Sequence, residues 1–155
     1  MYEVLVIFAA KYLIWIVAAI FVGYFFVARK RVKRKLLLLS VISLPLAYAA
    51  AWLAGKLYWD PLPFVLSGAT PLIAHVANNG FPSDHMVFAV ALATLALLFN
   101  RRLGIFLWVL ALLVGTARVA AGVHHSVDIV AGAAIAAVVV WLVYLCIHRR
   151  SWYRG

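Results

Sequence analysis

A chain of 155 residues that is 68% hydrophobic and 12% charged is not a water-soluble domain, because those carry about 45–50% apolar and about 25% charged residues. The bilayer must be its solvent, and the length suits one domain, expected over 1–155. A net charge of +10 would suggest nucleic acid in a soluble protein, but here Lys and Arg cluster at the ends of apolar runs, so phospholipid headgroups explain them and nucleic acid is excluded as a partner.

Five apolar segments are expected to cross or enter the membrane: roughly 12–27 (starting as early as residue 4), 36–55, 86–99, 103–117 and 127–147. The fold class that follows is an all-α integral membrane protein, a bundle of about five transmembrane helices. The first segment opens MYEVLVIF and lacks the basic region of a cleaved signal peptide, so it reads as an anchor that stays. The third and fourth fall short of the roughly 20 residues that span a bilayer. Their outer ends should therefore lie in a recess below the headgroups.

If the helices alternate, one end of the bundle receives Arg29–Lys35, Arg101, Arg102, Arg149, Arg150 and Arg154, which is 11 of the 14 Lys and Arg. The positive-inside rule makes that end cytoplasmic, with the N-terminus outside, the C-terminus inside and the plasma or inner membrane as location. The Arg29–Lys35 run reads as a solvated loop contacting anionic lipid. All four carboxylates and His75, His85, His124 and His125 fall at the opposite, outer end. The long outer joint, 56–85, holds Pro61, Pro63, Pro71 and Pro82. Its moderately apolar stretch 64–77 is expected to form a short interfacial or re-entrant helix. Cys146 is the single cysteine, so neither a disulfide framework nor a cysteine metal cluster is available.

Polar groups at membrane depth are costly and indicate function by default. The strongest group is ARVAAGVHHSVD. Arg118 ends the fourth segment and offers a bidentate fork for phosphate oxygens. His124 and Asp128 open the fifth at spacing i, i+4, one face of a helix. A carboxylate there can take the imidazole Nδ1–H and leave Nε2 as a nucleophile. The second group, FPSDH, opens the third segment. Pro82, Ser83 and Asp84 form a helix start, and the free N–H groups of a helix N-terminus suit an anion. Ser83 adds a hydroxyl, and His85 is placed to protonate a leaving oxygen. Lys56, in KLYWDPLPF, is a point charge for phosphate. The expected phosphate-binding set is thus Arg118, Ser83, Lys56 and Asp84, with His75 and Pro63 as residues of the pocket mouth and His125 as a neighbour.

FPSDH followed by R-x5-H-x3-D on successive membrane helices resembles motifs two and three of the type 2 phosphatidic acid phosphatase superfamily. The likeness is strongest to the bacitracin-resistance type of undecaprenyl pyrophosphate phosphatase and runs from about Tyr12 to Trp141. It implies hydrolysis of a lipid phosphate or pyrophosphate, undecaprenyl pyrophosphate first among them, without metal or other cofactor. It also implies His124 as nucleophile through a phosphohistidine, Asp128 as its orienting acid, His85 as general acid, and Ser83 and Arg118 as phosphate ligands. Phosphatidic acid and phosphatidylglycerophosphate are the alternative substrates.

Motif one departs: the family has Arg-Pro-Phe where this chain has Leu62-Pro63-Phe64. Losing one charged hydrogen bond of about 1.5–3 kcal/mol would weaken phosphate binding roughly 10- to 150-fold. A degenerate enzyme that binds without turnover is the competing expectation. A metal or haem site built from His85, His124, His125 and Asp128 is a third, opposed by the positive charge of Arg118 beside that cluster.

Overall fold

The computed structural model describes residues 1–152, with side chains through Ile147. Among these residues there are six helices: α1 (Tyr2–Val27), α2 (Lys30–Leu57), α3 (Pro63–Ser67), α4 (Asp84–Leu97), α5 (Arg101–Ala120) and α6 (Ser126–Trp152). Four of them, α1, α2, α5 and α6, are long and apolar enough to cross a membrane. With α4 they make the five-helix bundle expected from the sequence. Arg154 lies outside the described residues, as do the side chains of Arg149 and Arg150.

The 14-residue α4 rises only about 21 Å, short of a hydrocarbon core of about 30 Å. It is nonetheless the centre of the bundle. Ala89 through Ala96 are all buried, and α4 contacts each of the other four long helices. By contrast α1 and α2 barely touch one another, leaving a cleft between them floored by α4. Apolar side chains on the outer faces, such as Trp15, Trp52, Val130 and Trp141, are exposed to what must be lipid.

Three boundaries differ from expectation. The segment at 103–117 extends to Arg101–Ala120, so α5 is not short. Its start is fixed by Asn100, whose side chain accepts a hydrogen bond from the Leu103 N–H at 3.1 Å, an N-cap. The basic run is not a loop either: Lys30–Lys35 form the first turns of α2. Lys and Arg are good helix formers, and their long stems carry the charge to solvent. In the outer joint, only Pro63–Ser67 is helical. Gly68, at φ +67°, ends it in a left-handed conformation that suits glycine.

Residues 68–83 are irregular but pinned. Leu72 N–H donates to Ala121 O at 3.0 Å and Gly80 N–H to Asp60 O at 2.9 Å. Ile73 is buried in a small second core with Val6, Ala10, Ala117, Ala121 and Val123. Irregular backbone at this depth is tolerated because protein covers it. The joint therefore caps one end of the bundle, over the tips of α1 and α5.

Candidate active site

Under that cap lies a cavity of about 560 Å³, walled by His75, Asn79, Pro82, His85, Arg118 and His124 among others. Two sequence motifs meet there because α6 and the start of α4 are stitched together. Ser83 N–H donates to Asp128 O at 3.1 Å. Gly132 allows the approach, since a Cβ on it would sit 2.8 Å from Ser83 O.

His124 and Asp128 pair as expected, Nδ1 to Oδ2 at 3.1 Å, but not along a helical face. His124 precedes α6, which begins at Ser126. The chain turns at Gly122, φ +76°, and the imidazole reaches forward to the first helical turn. The same carboxylate oxygen accepts the main-chain N–H of His125 at 2.9 Å. Asp128 thus performs the acid's half of a capping box, satisfying the N–H of the residue before the helix. One local device both starts α6 and orients the imidazole. Asp128 is fully buried and His124 is 5% exposed, with the ring at the cavity wall.

Arg118 is 3% exposed. It donates through Nη1 to Ala10 O at 3.4 Å, while its Nε has no partner among the described residues. A buried guanidinium at a cavity wall, with a donor left unpartnered, is matched to an anion carrying several oxygens. The Ser83 hydroxyl, also fully buried, likewise lacks a partner among the described residues. Ser83 is the N-cap of α4, so Pro82 stands one residue before the cap rather than in the first turn. The Phe81–Pro82 peptide is cis. His85 and the exposed Asp84 line the cavity from the first turn. A carboxylate is an acceptor only, so what Asp84 offers an anion is its place at the helix N-terminus.

His75 is brought in from the joint. Its ring meets that of His124 edge-on at 5.7 Å, and its Nδ1–H donates to Val76 O at 2.9 Å. Burial, aided by the Arg118 charge, holds its pKa below 6.5 against that hydrogen bond. The ring is therefore neutral at pH 7 and forms a wall with a free Nε2 rather than a cation.

Two expected residues are elsewhere. Pro63 lines a separate small cavity of about 170 Å³ with Phe64 and Pro71, because it opens α3 on the far side of the joint. Lys56 lines a neighbouring cavity of about 610 Å³ with Trp52, Trp59 and Asp84. Its ammonium lies 5.5 Å above the Trp52 ring, a contact worth about 0.5–1 kcal/mol when exposed. Lys56→Met is accordingly expected to change phosphate release by less than about fivefold, measured as kcat/KM. A larger loss would mean that Lys56 swings into the histidine cavity.

The sequence reading missed Asp60 and Asn79. Asp60 Oδ2 pairs with His125 Nδ1 at 3.1 Å. Asn79 ties Gly55, Tyr58, Asp60 and Phe81 together. Donor atoms of Asp60, His125 and Asp128 lie within 4.8 Å of one another, a set with metal-ligand chemistry. Here, however, His125 Nδ1 is committed to Asp60 and the His125 N–H to Asp128.

A buried arginine, two histidines and a histidine–aspartate pair at the capped end of a membrane helix bundle define a membrane protein with a phosphate-type site. The chain belongs to the PAP2 superfamily, whose family model matches residues 36–152. Among relatives, it is 35% identical over 130 residues to the bacitracin transport permease protein BcrC of Bacillus licheniformis, covering 83% of this chain and 63% of that one. It is 34% identical over 93 residues to the undecaprenyl-diphosphatase BcrC of Bacillus subtilis (strain 168), covering 60% and 48%. It is 32% identical over 134 residues to the putative undecaprenyl-diphosphatase YbjG of Escherichia coli (strain K12), covering 79% and 67%. The chain thus spans between 48% and 67% of the length of these relatives.

Two crystal structures share the fold. Aquifex aeolicus LpxE matches with TM-score 0.66 at 21% identity, over 90% of this chain and 81% of that one. The first transmembrane PAP2 type phosphatidylglycerolphosphate phosphatase from Bacillus subtilis matches with TM-score 0.60 at 22% identity, over 94% and 74%.

Proposed function

We propose that this chain is a metal-independent lipid phosphatase that removes the terminal phosphate of a polyprenyl diphosphate, undecaprenyl diphosphate by analogy with its relatives, at the extracytoplasmic face. The observation that carries the reading is the 3.1 Å His124–Asp128 pair beside a buried arginine whose Nε is unpartnered among the described residues. Asp128 takes the Nδ1–H, so the lone pair on Nε2 attacks phosphorus. The bond from phosphorus to the bridging oxygen breaks, and His85, entering this step as the imidazolium beside the negative charge of the bound diphosphate, gives that oxygen a proton and is left neutral. Arg118, Ser83 and the first turn of α4 hold the charge on the transferred group. Water, deprotonated by His85, then attacks the phosphohistidine and releases inorganic phosphate, restoring both rings.

A lipid substrate is favoured by the cleft between α1 and α2. There an apolar slot of about 330 Å³, lined by Ile14, Trp15, Tyr48 and Phe88, reaches Asp84 and His85. The leaving oxygen at His85 belongs to the lipid monophosphate, so an apolar path beside that ring fits the product. The outer face is supported by the basic residues, which gather at the opposite end of the bundle.

The test is phosphate release by the detergent-purified protein from a polyprenyl diphosphate in excess EDTA, with phosphatidic acid and phosphatidylglycerophosphate alongside. Release that persists in EDTA and is fastest with the diphosphate is expected. Preference for either phospholipid would transfer the assignment to that substrate. No release from any of the three would favour a binder without turnover, the reading that Leu62 suggests.

A further inference from the structure

The geometry points to Asp60 as a positioning residue for the attacking histidine, acting on Asp128 both directly and through His125; the inference rests on the phosphatase reading above. Asp60 does not line the histidine cavity and lies 65 residues from His125 in the chain. Its main chain is nevertheless fixed on both sides. The Asp60 N–H donates to Asn79 Oδ1 at 2.9 Å, and Asp60 O accepts from Gly80 N–H at 2.9 Å. Asn79 is itself immobilised: its amide donates to Gly55 O at 2.8 Å and Tyr58 O at 3.0 Å, and its oxygen also accepts from Phe81 N–H at 3.1 Å. The backbone that carries the Asp60 carboxylate is therefore set by the fold.

From that anchor a chain of contacts runs to the nucleophile. Asp60 Oδ2 meets His125 Nδ1 at 3.1 Å. The His125 N–H meets Asp128 Oδ2 at 2.9 Å, and the same oxygen meets His124 Nδ1 at 3.1 Å. Asp128 Oδ1 has no partner among the described residues. Its Oδ2 accepts from His124 and His125, and the Asp60 side chain also acts on the Asp128 carboxylate directly. The His125 side chain is 36% exposed, so its pairing with Asp60 is what fixes the orientation of the ring. Freeing it would loosen the turn that presents the His125 N–H, and with it the angle at which Asp128 meets His124.

The test compares the parent with Asp60→Asn, His125→Ala and the double variant. Asp60→Asn is expected to lower kcat about 10- to 100-fold, the range for residues that orient a reacting group through another, with KM within about twofold of the parent. Because Asp60 and His125 both act on Asp128, the double variant should be slower than either single variant but by less than the product of the two losses. Multiplied losses, a KM effect without a kcat effect, or an unchanged kcat would each overturn the proposal.

A second measurement does not need turnover. In ¹⁵N-histidine NMR spectra of detergent-solubilised protein, the His124 signals, identified by their loss in His124→Ala, should shift in Asp60→Asn although the two residues do not touch. Unshifted His124 signals would overturn the proposal. A parent that releases no phosphate would sink the phosphatase reading alone, leaving the spectrum to decide the coupling.

Discussion

His124→Ala is expected to abolish phosphate release, lowering kcat by at least about 10³-fold, because the phosphohistidine has no other atom to form on. His75 stands 5.7 Å away, ring to ring, but its Nδ1 is engaged by Val76 O, and no carboxylate among the described residues orients it. His85 is reserved for the leaving oxygen. The loss should therefore not be recovered by a neighbour. Asp128→Asn should retain more activity, with kcat falling ~10²–10⁴-fold, since the nucleophile remains but loses the acceptor that fixes its tautomer. The order of the two variants discriminates between roles. If His124→Ala kept more activity than Asp128→Asn, the carboxylate would be the reacting group and His124 its support. Phosphate release at the parental rate in His124→Ala would end the histidine mechanism altogether.

The residues in that experiment were legible in the sequence for a specific reason. FPSDH and R-x5-H-x3-D each lie within a short stretch, so spacing alone brings their side chains together once helices are assigned. Helix existence was equally legible, because a bilayer demands long apolar runs. The geometry of the pair was less so. A spacing of four suggests a helical face, whereas the turn at Gly122 puts His124 outside α6 and leaves Asp128 to cap it. The missed residues share one property. Asp60 and Asn79 sit in an irregular joint, and their side-chain partners, Phe81 excepted, are 19 to 65 residues away. No periodicity marks such contacts. The only hint was that Asp60 stood among few carboxylates, all at the same end of the bundle. Lys56 is the converse case, since a basic residue in the right loop lines the neighbouring cavity.

Leu62 is where sequence comparison and structure give opposite expectations. Beside the family motif, it is a vacancy for arginine, and Leu62→Arg should repair the site. In the fold, Leu62 is fully buried. Its Cδ2 lies 2.8 Å from the point where a Cβ on Gly80 would sit, and Asp128 Oδ2 lies 3.1 Å from that same point. A guanidinium introduced there has two choices. It can pair with Asp128, in which case the carboxylate is drawn off His124 and the nucleophile loses its orientation. Or it can stay unpaired in an apolar site, at a cost of about 3 kcal/mol or more. Both routes lower activity, so Leu62→Arg is expected to reduce phosphate release at least tenfold and to lower the melting temperature unless the new pair forms. The two routes separate by measurement: an inactive protein of parental stability has captured Asp128, and an inactive, unstable one has buried a bare charge. A rise in activity would mean that the guanidinium threads past Gly80 into the histidine cavity, and that this site lacks a phosphate ligand which Arg118 and Ser83 do not replace.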